Sequence, residues 1–358
     1  MEGFENTNLT DVNQEQKCHN CGAVLKFAPG THHLKCEYCS AENEIIQDPN
    51  AEPVSEIDYH QFLKDGLSNE PKEEIVMVKC TGCGAEESLP PNITSSECAF
   101  CGVSLIVKNG STESILRPKS VLPFKIERKQ AFEQFRKWIK GLWFAPSNLK
   151  KAALNIEKLH GMYMPYWTFD SNTHTTYTGQ RGIRRTEYYT TTDSDGKTVQ
   201  RTRTVTDWYP AFGSVNNDFD DVLVPATKAL PQNYLDDLEP WDLENLVPFA
   251  DSYLSGFQTQ KYQVGLEDGF DIAKGKMERV IETSVRRDIG GDEQRIISMN
   301  PDFRNITFKH TLMPIWISSY KYKSKVYRFI VNARTGEVRG ERPWSWIKIT
   351  LAVLAVAA

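Results

Sequence analysis

Cys18-His-Asn-Cys21-Gly22 and Cys36-Glu-Tyr-Cys39, followed by Cys80-Thr-Gly-Cys83-Gly84 and Cys98-Ala-Phe-Cys101-Gly102, organise the first hundred residues of this chain. Each quartet reads C-x2-C-x14-C-x2-C, and together they hold all eight cysteines of the 358-residue sequence. Glycine directly after Cys21, Cys83 and Cys101 lets backbone amides turn back toward the sulfurs. Two knuckles joined by a short hairpin supply four thiolates in a tetrahedral cage. The spacing therefore predicts two zinc ribbons, over residues 13–47 and 75–110. Cys18, Cys21, Cys36 and Cys39 would ligate one Zn(2+) ion, and Cys80, Cys83, Cys98 and Cys101 a second.

Three other uses of such cysteines compete with this one. A disulfide framework suits small secreted domains, whereas this chain is long and Met1–Thr10 is polar and acidic, unlike a signal peptide. Redox C-x-x-C pairs usually occur singly. Iron accepts the same four thiolates, so spacing leaves it open. His19, His32 and His33 lie inside the first ribbon and read as exposed loop histidines, because the quartet is already complete. A saturated tetrahedron has no open position for water or substrate, so the metal is expected to be structural.

Net charge is −5 with 25% charged and 40% apolar residues, which provides for a real core and weighs against a protein dedicated to nucleic acid. The excess acid is local. Asp48, Glu52, Glu56, Asp58, Asp65, Glu70, Glu73 and Glu74 face only Lys64 and Lys72, so residues 48–74 read as a flexible acidic linker with a helical turn or two from Tyr59 to Leu67. Cysteine confined to knuckles implies a reducing compartment.

Beyond residue 115 one pattern is written twice. Val121-Leu-Pro-Phe124-Lys-Ile126 leads into an amphipathic segment from Glu127 to Trp143, with Phe132, Phe135, Ile139 and Leu142 at helical spacing, and then Met164-Pro165-Tyr166-Trp167. Tyr262-Gln-Val264-Gly-Leu266 leads into a second, Asp271 to Val285, with Ala273, Met277, Val280, Ile281 and Val285 on one side, and then Met313-Pro314-Ile315-Trp316. Thr173–Trp208 is β-like and turns at Asp193-Ser-Asp195-Gly196; Ser319–Val331 alternates apolar and basic residues. Pro240 is expected to open a short helix, Trp241–Val247, ended by Pro248. The expected architecture is α+β: two N-terminal zinc ribbons, then a duplicated helix-plus-antiparallel-sheet body (115–250 and 251–342), then an apolar, transmembrane-like segment (344–358).

That last segment carries Trp344, Trp346 and Lys348 before Leu351–Ala358, with Arg339 and Arg342 upstream, a pattern that suits the cytosolic edge of a membrane anchor. Fifteen residues reach only about 22 Å of the roughly 30 Å hydrocarbon core, so the segment is expected to be the start of an anchor.

Sites of chemistry are scarce. Gly269-Phe-Asp-Ile-Ala-Lys-Gly275-Lys276-Met277 has one residue too many for a phosphate loop and methionine where a hydroxyl is needed. His60, His160, His174 and His310 are scattered. Asp220-Asp221 and Asp236-Asp237 read as solvated loop charges. Arg181, Arg184, Arg185, Lys197, Arg201 and Arg203, interleaved with Tyr188, Tyr189 and Trp208, form a basic cluster that suits a polyanion or lipid headgroups, but Glu187, Asp193 and Asp195 dilute it.

The double ribbon, Met164-Pro165-Tyr166-Trp167-Thr-Phe169-Asp170, Leu312-Met-Pro314-Ile-Trp316 and above all Val331-Asn332-Ala-Arg-Thr335-Gly336-Glu-Val338-Arg-Gly340-Glu341-Arg342-Pro343-Trp-Ser345 resemble a family of uncharacterised bacterial proteins. Its members are described as TFIIB-type zinc-ribbon proteins and are often labelled as relatives of the primosomal replication-restart helicase from the zinc-binding part alone. The chain departs from that label in having no nucleotide-binding loop. The resemblance implies membrane-anchored cytosolic proteins, some beside flotillin-like and phage-shock-type proteins that respond to envelope stress.

These readings converge on a non-enzymatic, membrane-tethered adaptor that recruits a protein partner, held in the cell membrane by a single pass with its ribbons on the cytoplasmic side. Val24, Leu25, Phe27, Leu34, Leu89, Ile93 and Phe100 are either its partner surface or the ribbons' own cores. The alternative is a nucleic-acid-binding accessory protein of DNA replication or transcription. An enzyme with its site between the two halves is a third possibility, for which no residue is nominated.

Overall fold

The computed structural model describes residues 16–45, 53–65, 72–88, 95–106, 110–149, 158–323 and 325–357. The first quartet sits on β1 (Leu25–Phe27), β2 (His33–Cys36) and β3 (Glu42–Glu44), which pair antiparallel in that order. β4 (Ile57–Asp58) and α1 (Tyr59–Asp65) follow. The second quartet is framed by β5 (Lys72–Lys79), β6 (Glu86–Ser88), β7 (Ser95–Glu97), β8 (Ser104–Ile106) and β9 (Gly110–Leu116). The body comprises β10 (Ser120–Val121), α2 (Arg128–Gly141), β11 (His160–Thr192), β12 (Thr198–Pro225), α3 (Gln232–Asp236), β13 (Val247–Pro248) and β14 (Gln258–Thr259). It continues through α4 (Leu266–Ile289), β15 (Glu293–Tyr322), β16 (Lys325–Asn332), β17 (Val338–Gly340) and α5 (Trp346–Ala357).

The expectation of two helix-plus-sheet modules is corrected here: strands dominate, and the two repeats share one nine-stranded sheet. β11 lies between β12 and β15, antiparallel to both. The repeated motifs run side by side in opposite directions, with Met164 opposite Met313 and Tyr163 opposite Pro314. Each proline lacks an N–H to donate, and each sits where a lateral strand ends. β12 stops pairing at Tyr166↔Pro225, and the Pro165 carbonyl then accepts the Ala226 N–H at 2.9 Å. β16 stops at Ile315↔Asn332, and Pro314 accepts from Ala333 at 3.1 Å.

The halves also exchange partners. Trp167 donates its indole N–H to the Val264 carbonyl at 3.0 Å, just ahead of α4, while Trp316 donates to Ile126 at 2.8 Å, just ahead of α2. α4 packs Phe270, Ala273 and Met277 onto Trp167, Phe169 and Val224 of the first repeat. Gly269 permits that approach, since a Cβ there would lie 2.9 Å from the Trp167 ring. α2 packs Phe135 onto Phe329 of the second repeat, ring centroids 3.7 Å apart. Each amphipathic face is buried by the other copy, so neither half has a separate core.

Helix faces follow the spacing in the sequence with two differences. α4 starts five residues earlier than expected and ends four later, and its Val280 is half exposed. α2 begins with a capping box in which Glu127 and Gln130 exchange backbone and side-chain bonds. The helix expected at Trp241–Val247 is only a 3-10 turn, Leu243–Asn245.

Two further expectations are corrected. The acidic linker is a docked element over residues 53–65, where Ile57 faces Phe308 of β15 and Tyr59 and Phe62 are buried, and its residues 72–74 already belong to β5. Ile57, Tyr59 and Phe62 pack into the core of Phe169, Phe270 and Phe308, so it does not behave as a tether there. The C-terminal segment forms α5, whose 12 residues cover about 18 Å, short of a bilayer core. No helix among the described residues is long and apolar enough to cross a membrane, against the expected single-pass placement in the cell membrane. The start of α5 is tied to the loop after α2, since Lys348 Nζ donates to the Ala145 carbonyl at 2.8 Å and the Ser345 N–H to Phe144 at 2.8 Å.

β11 and β12 extend far past the body. At 33 residues β11 spans about 110 Å, several times an ordinary strand. β15 accompanies it to Gly182↔Glu293, and α4 covers one face as far as Ile289. From Ile183 to Asp207 only β11 and β12 remain among the described residues, joined by the expected turn, in which Asp193 Oδ1 accepts the N–H groups of Asp195 and Lys197.

Candidate metal centres

Each quartet converges as its spacing requires. Sγ–Sγ separations are 3.6 Å for Cys18–Cys39, 3.5 Å for Cys21–Cys36, 3.5 Å for Cys80–Cys101 and 3.6 Å for Cys83–Cys98. Within each set all four sulfurs lie within 4.8 Å of one another. Sulfurs bound about 2.3 Å from one tetrahedral ion sit about 3.8 Å apart, so both cages fit a metal ion of that size. His19, His32 and His33 join neither cluster.

Four identical turns build the knuckles. The N–H four residues after the first cysteine of each pair donates back to it: Gly22 to Cys18, Ser40 to Cys36, Gly84 to Cys80 and Gly102 to Cys98, all between 2.8 and 3.0 Å. That turn places its last residue in the left-handed region, at φ +73, +76 and +74 for the glycines. Ser40, the one non-glycine, holds φ +58 and carries the strain the glycines avoid.

Electrostatics within the cages favour a cation. The Asn20 backbone N–H pulls Cys18 down to about 6, and the neighbouring thiol of Cys98 pulls Cys83 down to about 5. Cys98 is pushed up by Cys83, by burial and by Glu87. Thiolates this close cannot all ionise alone; a divalent ion removes the repulsion. The cages differ in setting. Cys21 and Cys39 of the first are exposed, whereas the second is more enclosed and has the fully buried Glu87 beside it, 2.9 Å from Cys98 Sγ and accepting the Ala99 N–H. Burial raises Glu87 to about 7.

Both ribbons are built into the body. Leu25, Phe27 and Leu34 join the core of Phe124, Tyr253 and Trp316, and Phe100 and Leu105 join that of Met162, Met164 and Ile315. Of the proposed recognition residues, Leu25, Phe27, Leu34 and Phe100 are thus core; Val24 is exposed; Leu89 and Ile93 lie outside the described residues.

A polar cluster escaped the sequence reading. Glu56, Asp170 and Asp221 converge around Lys309, whose Nζ pairs with Glu56 and, at 2.7 Å, with Asp221. Bulges on both sides of Asp170 create it, one with Asp221 at φ +53 in β12 and one with Asn305 at φ +50 in β15. Burial raises Asp170 to about 7. The ammonium occupies the cluster, which anchors β4 to the sheet. Residues 56, 170, 221 and 309 are brought together only by the fold; Asp221, expected from its doublet to be a solvated loop charge, lies in β12 and pairs with Lys309.

The basic cluster lies on the β11–β12 extension, and three of its six cations are paired with acids. Arg184 pairs with Glu293, Arg185 with Asp207 and Arg203 with Glu187, at 2.7 to 2.9 Å, while Arg295 stacks on Trp208 at 3.7 Å.

No family model matches this chain, and no solved structure matches it. The chain is 28% identical over 334 residues to the uncharacterized protein YdjG of Bacillus subtilis (strain 168), covering 93% of this chain and 91% of that protein.

Proposed function

We propose that the protein is a non-enzymatic, zinc-stabilised scaffold that presents the β11–β12 extension to a protein partner. The observation that carries this reading is the extension itself: from Ile183 to Thr204 no residue is buried, although the ribbon projects about ten residue pairs beyond its third strand. An isolated two-stranded ribbon is marginal in water, and a protein that keeps one this long gains from what binds it. The ribbons serve as clamps on the body, with zinc as the ion, since four thiolates in a closed tetrahedron suit that metal. Their buried apolar residues leave the exposed arm, in place of the knuckle surfaces, as the recruiting element.

A nucleic-acid role has one point in its favour, because a two-stranded ribbon fits a major groove. The paired arginines count against it. Bait experiments comparing the full chain with a version whose residues 184–206 are replaced by a tight turn test the proposal. Loss of one defined protein partner, insensitive to salt, supports it. Unchanged partners refute it, and capture of nucleic acid that falls steeply with salt favours the other reading. Fewer than two zinc ions per chain by elemental analysis would remove the clamps from the scheme.

A further inference from the structure

The two quartets share one spacing, so their knuckles compare position for position. Cys98-Ala99-Phe100-Cys101 turns inward: Ala99 and Phe100 are buried, the ring in the core of Met162, Met164 and Ile315. The equivalent Cys36-Glu37-Tyr38-Cys39 turns outward, with Glu37 exposed and Tyr38 90% exposed. The first knuckles differ in the same sense. Gly82 lies against Val103 and Cys101, where a Cβ would stand 2.8 Å from Val103 Cγ2 and 3.5 Å from Cys101 Sγ. Asn20 and Ala41 hold those two places in the first ribbon, and Asn20 is exposed. Residues 19–22 and 37–40 are in fact exposed throughout. Cys21 and Cys39 therefore face solvent, while Cys83 and Cys101 are half-buried.

We propose that the first cage is an exchange site, which gives up and regains a thiophilic divalent cation such as Zn(2+) while the second keeps its own. This goes beyond the clamp role assigned above and rests on that reading, since both cages must hold metal. Exchange at a thiolate cage requires an incoming ligand to reach the sulfurs, and the shell around them sets that access. At Cys21 and Cys39 the approach is open. To free Cys98, Phe100 must leave a core beneath the central strands. Ala99 must move with it, and its N–H is held by Glu87 Oε1 at 3.2 Å. Glu87 is itself bridged to Gln260 of the body. Opening is thus a local event at the first cage and is coupled to the body at the second.

Backbone strain points the same way. Ser40 holds φ +58 where its counterpart, Gly102, holds φ +74, and an opened knuckle releases the serine to an ordinary conformation. The docking of the ribbon does not depend on its knuckles. Leu25, Phe27 and Leu34 lie on β1 and β2, the Phe27 N–H donates to the Ser255 carbonyl at 3.0 Å, and the Gly30 N–H to that of Phe124 at 2.8 Å. Residues 18–22 and 36–40 can open while those contacts persist.

The test uses the unaltered full chain loaded with two Zn(2+) ions. Excess EDTA is added, released zinc is measured over time, and pulses of iodoacetamide read by peptide mass spectrometry show which cysteines have become free. The expected result is two phases of one ion each, the first at least about tenfold faster. Alkylation in the fast phase falls on Cys18, Cys21, Cys36 and Cys39 alone. Tryptophan fluorescence stays that of the folded body through this phase, and added Zn(2+) restores the first ion. Release of both ions in one phase, early alkylation of Cys80, Cys83, Cys98 or Cys101, loss of the folded signal with the first ion, or failure to rebind it overturns the proposal. Fewer than two ions at the outset would sink the clamp reading itself, whereas two ions leaving together would sink exchange alone and leave the scaffold standing.

Discussion

Truncating Phe27 to alanine tests whether the ribbons hold the body together. Phe27 is 3% exposed, its ring lies edge-on to Tyr253 at 5.3 Å, and it reaches Phe257 at 6.4 Å. Phe257 stacks on Phe124 at 4.0 Å, which in turn meets Trp316 at 5.1 Å, so a ribbon residue leads directly into the centre of the sheet. Removing the ring takes away about 150 Å² of apolar burial, about 4 kcal/mol at 25 cal/mol per Å², within the roughly 3–5 kcal/mol usual for such truncations. Set against a typical 5–15 kcal/mol of total stability, F27A lowers the melting temperature of the body by about 10 °C. Denaturant unfolding followed by tryptophan fluorescence reads this, with elemental analysis verifying that both ions are retained. V24A, at a position 47% exposed, stays within about 0.5 kcal/mol of the parent. A body midpoint unchanged by F27A would mean that the first ribbon is an independent domain and the clamp argument fails.

Three further outcomes are expected. S40G relieves the left-handed serine and raises stability by about 1 kcal/mol in thermal melts; a decrease would show that the Ser40 side chain contributes something the backbone argument omits. Asp170 titrates higher when folded than when unfolded, so its favourable contribution is present at low pH and fades as pH rises through about 7. D170N is therefore more stable relative to the parent at pH 8 than at pH 5, by about 1–2 kcal/mol after discounting for partial exposure; a pH-independent difference contradicts the assignment. G179A places a Cβ 2.4 Å from the Arg295 carbonyl and 2.9 Å from Ile289 Cδ1, so it costs about 1–3 kcal/mol and speeds amide exchange along β15 near Arg295; unaltered exchange there would argue against the β11–β15 pairing.

What could be read without coordinates was local. A thiolate cage is specified by two short spacings, and an amphipathic helix by its own periodicity, so the quartets and the buried faces of α2 and α4 were legible. The partner of each face was not. The helix after Val264 leans on Trp167, 97 residues earlier in the chain, and nothing in either segment records that choice. The Glu56, Asp170, Asp221 and Lys309 cluster depends on two coincident bulges and escaped for the same reason. The tail carries aromatic and basic residues ahead of an apolar run, a pattern that composition alone shows, but no helix among the described residues is long and apolar enough to cross a membrane.

The exchanged tryptophans explain why a duplicated sequence need not give two domains. Had Trp167 bonded within its own repeat, each half would own a helix, a strand pair and a core, and could unfold alone. Because Trp167 closes on the entry to α4 and Trp316 on the entry to α2, opening either half exposes the helix face of the other. The halves therefore lose their burial together, which predicts one cooperative transition for the body. The ribbons extend that unit from outside: Phe27 enters the core with Tyr163 and Trp316 and Phe100 the one with Met162, Met164 and Ile315, so both faces of the same stretch of β11 and β15 are braced. Rigidity gathered in this way at the root is what a long, coreless arm requires, since a ribbon without burial of its own takes its orientation from the sheet that launches it.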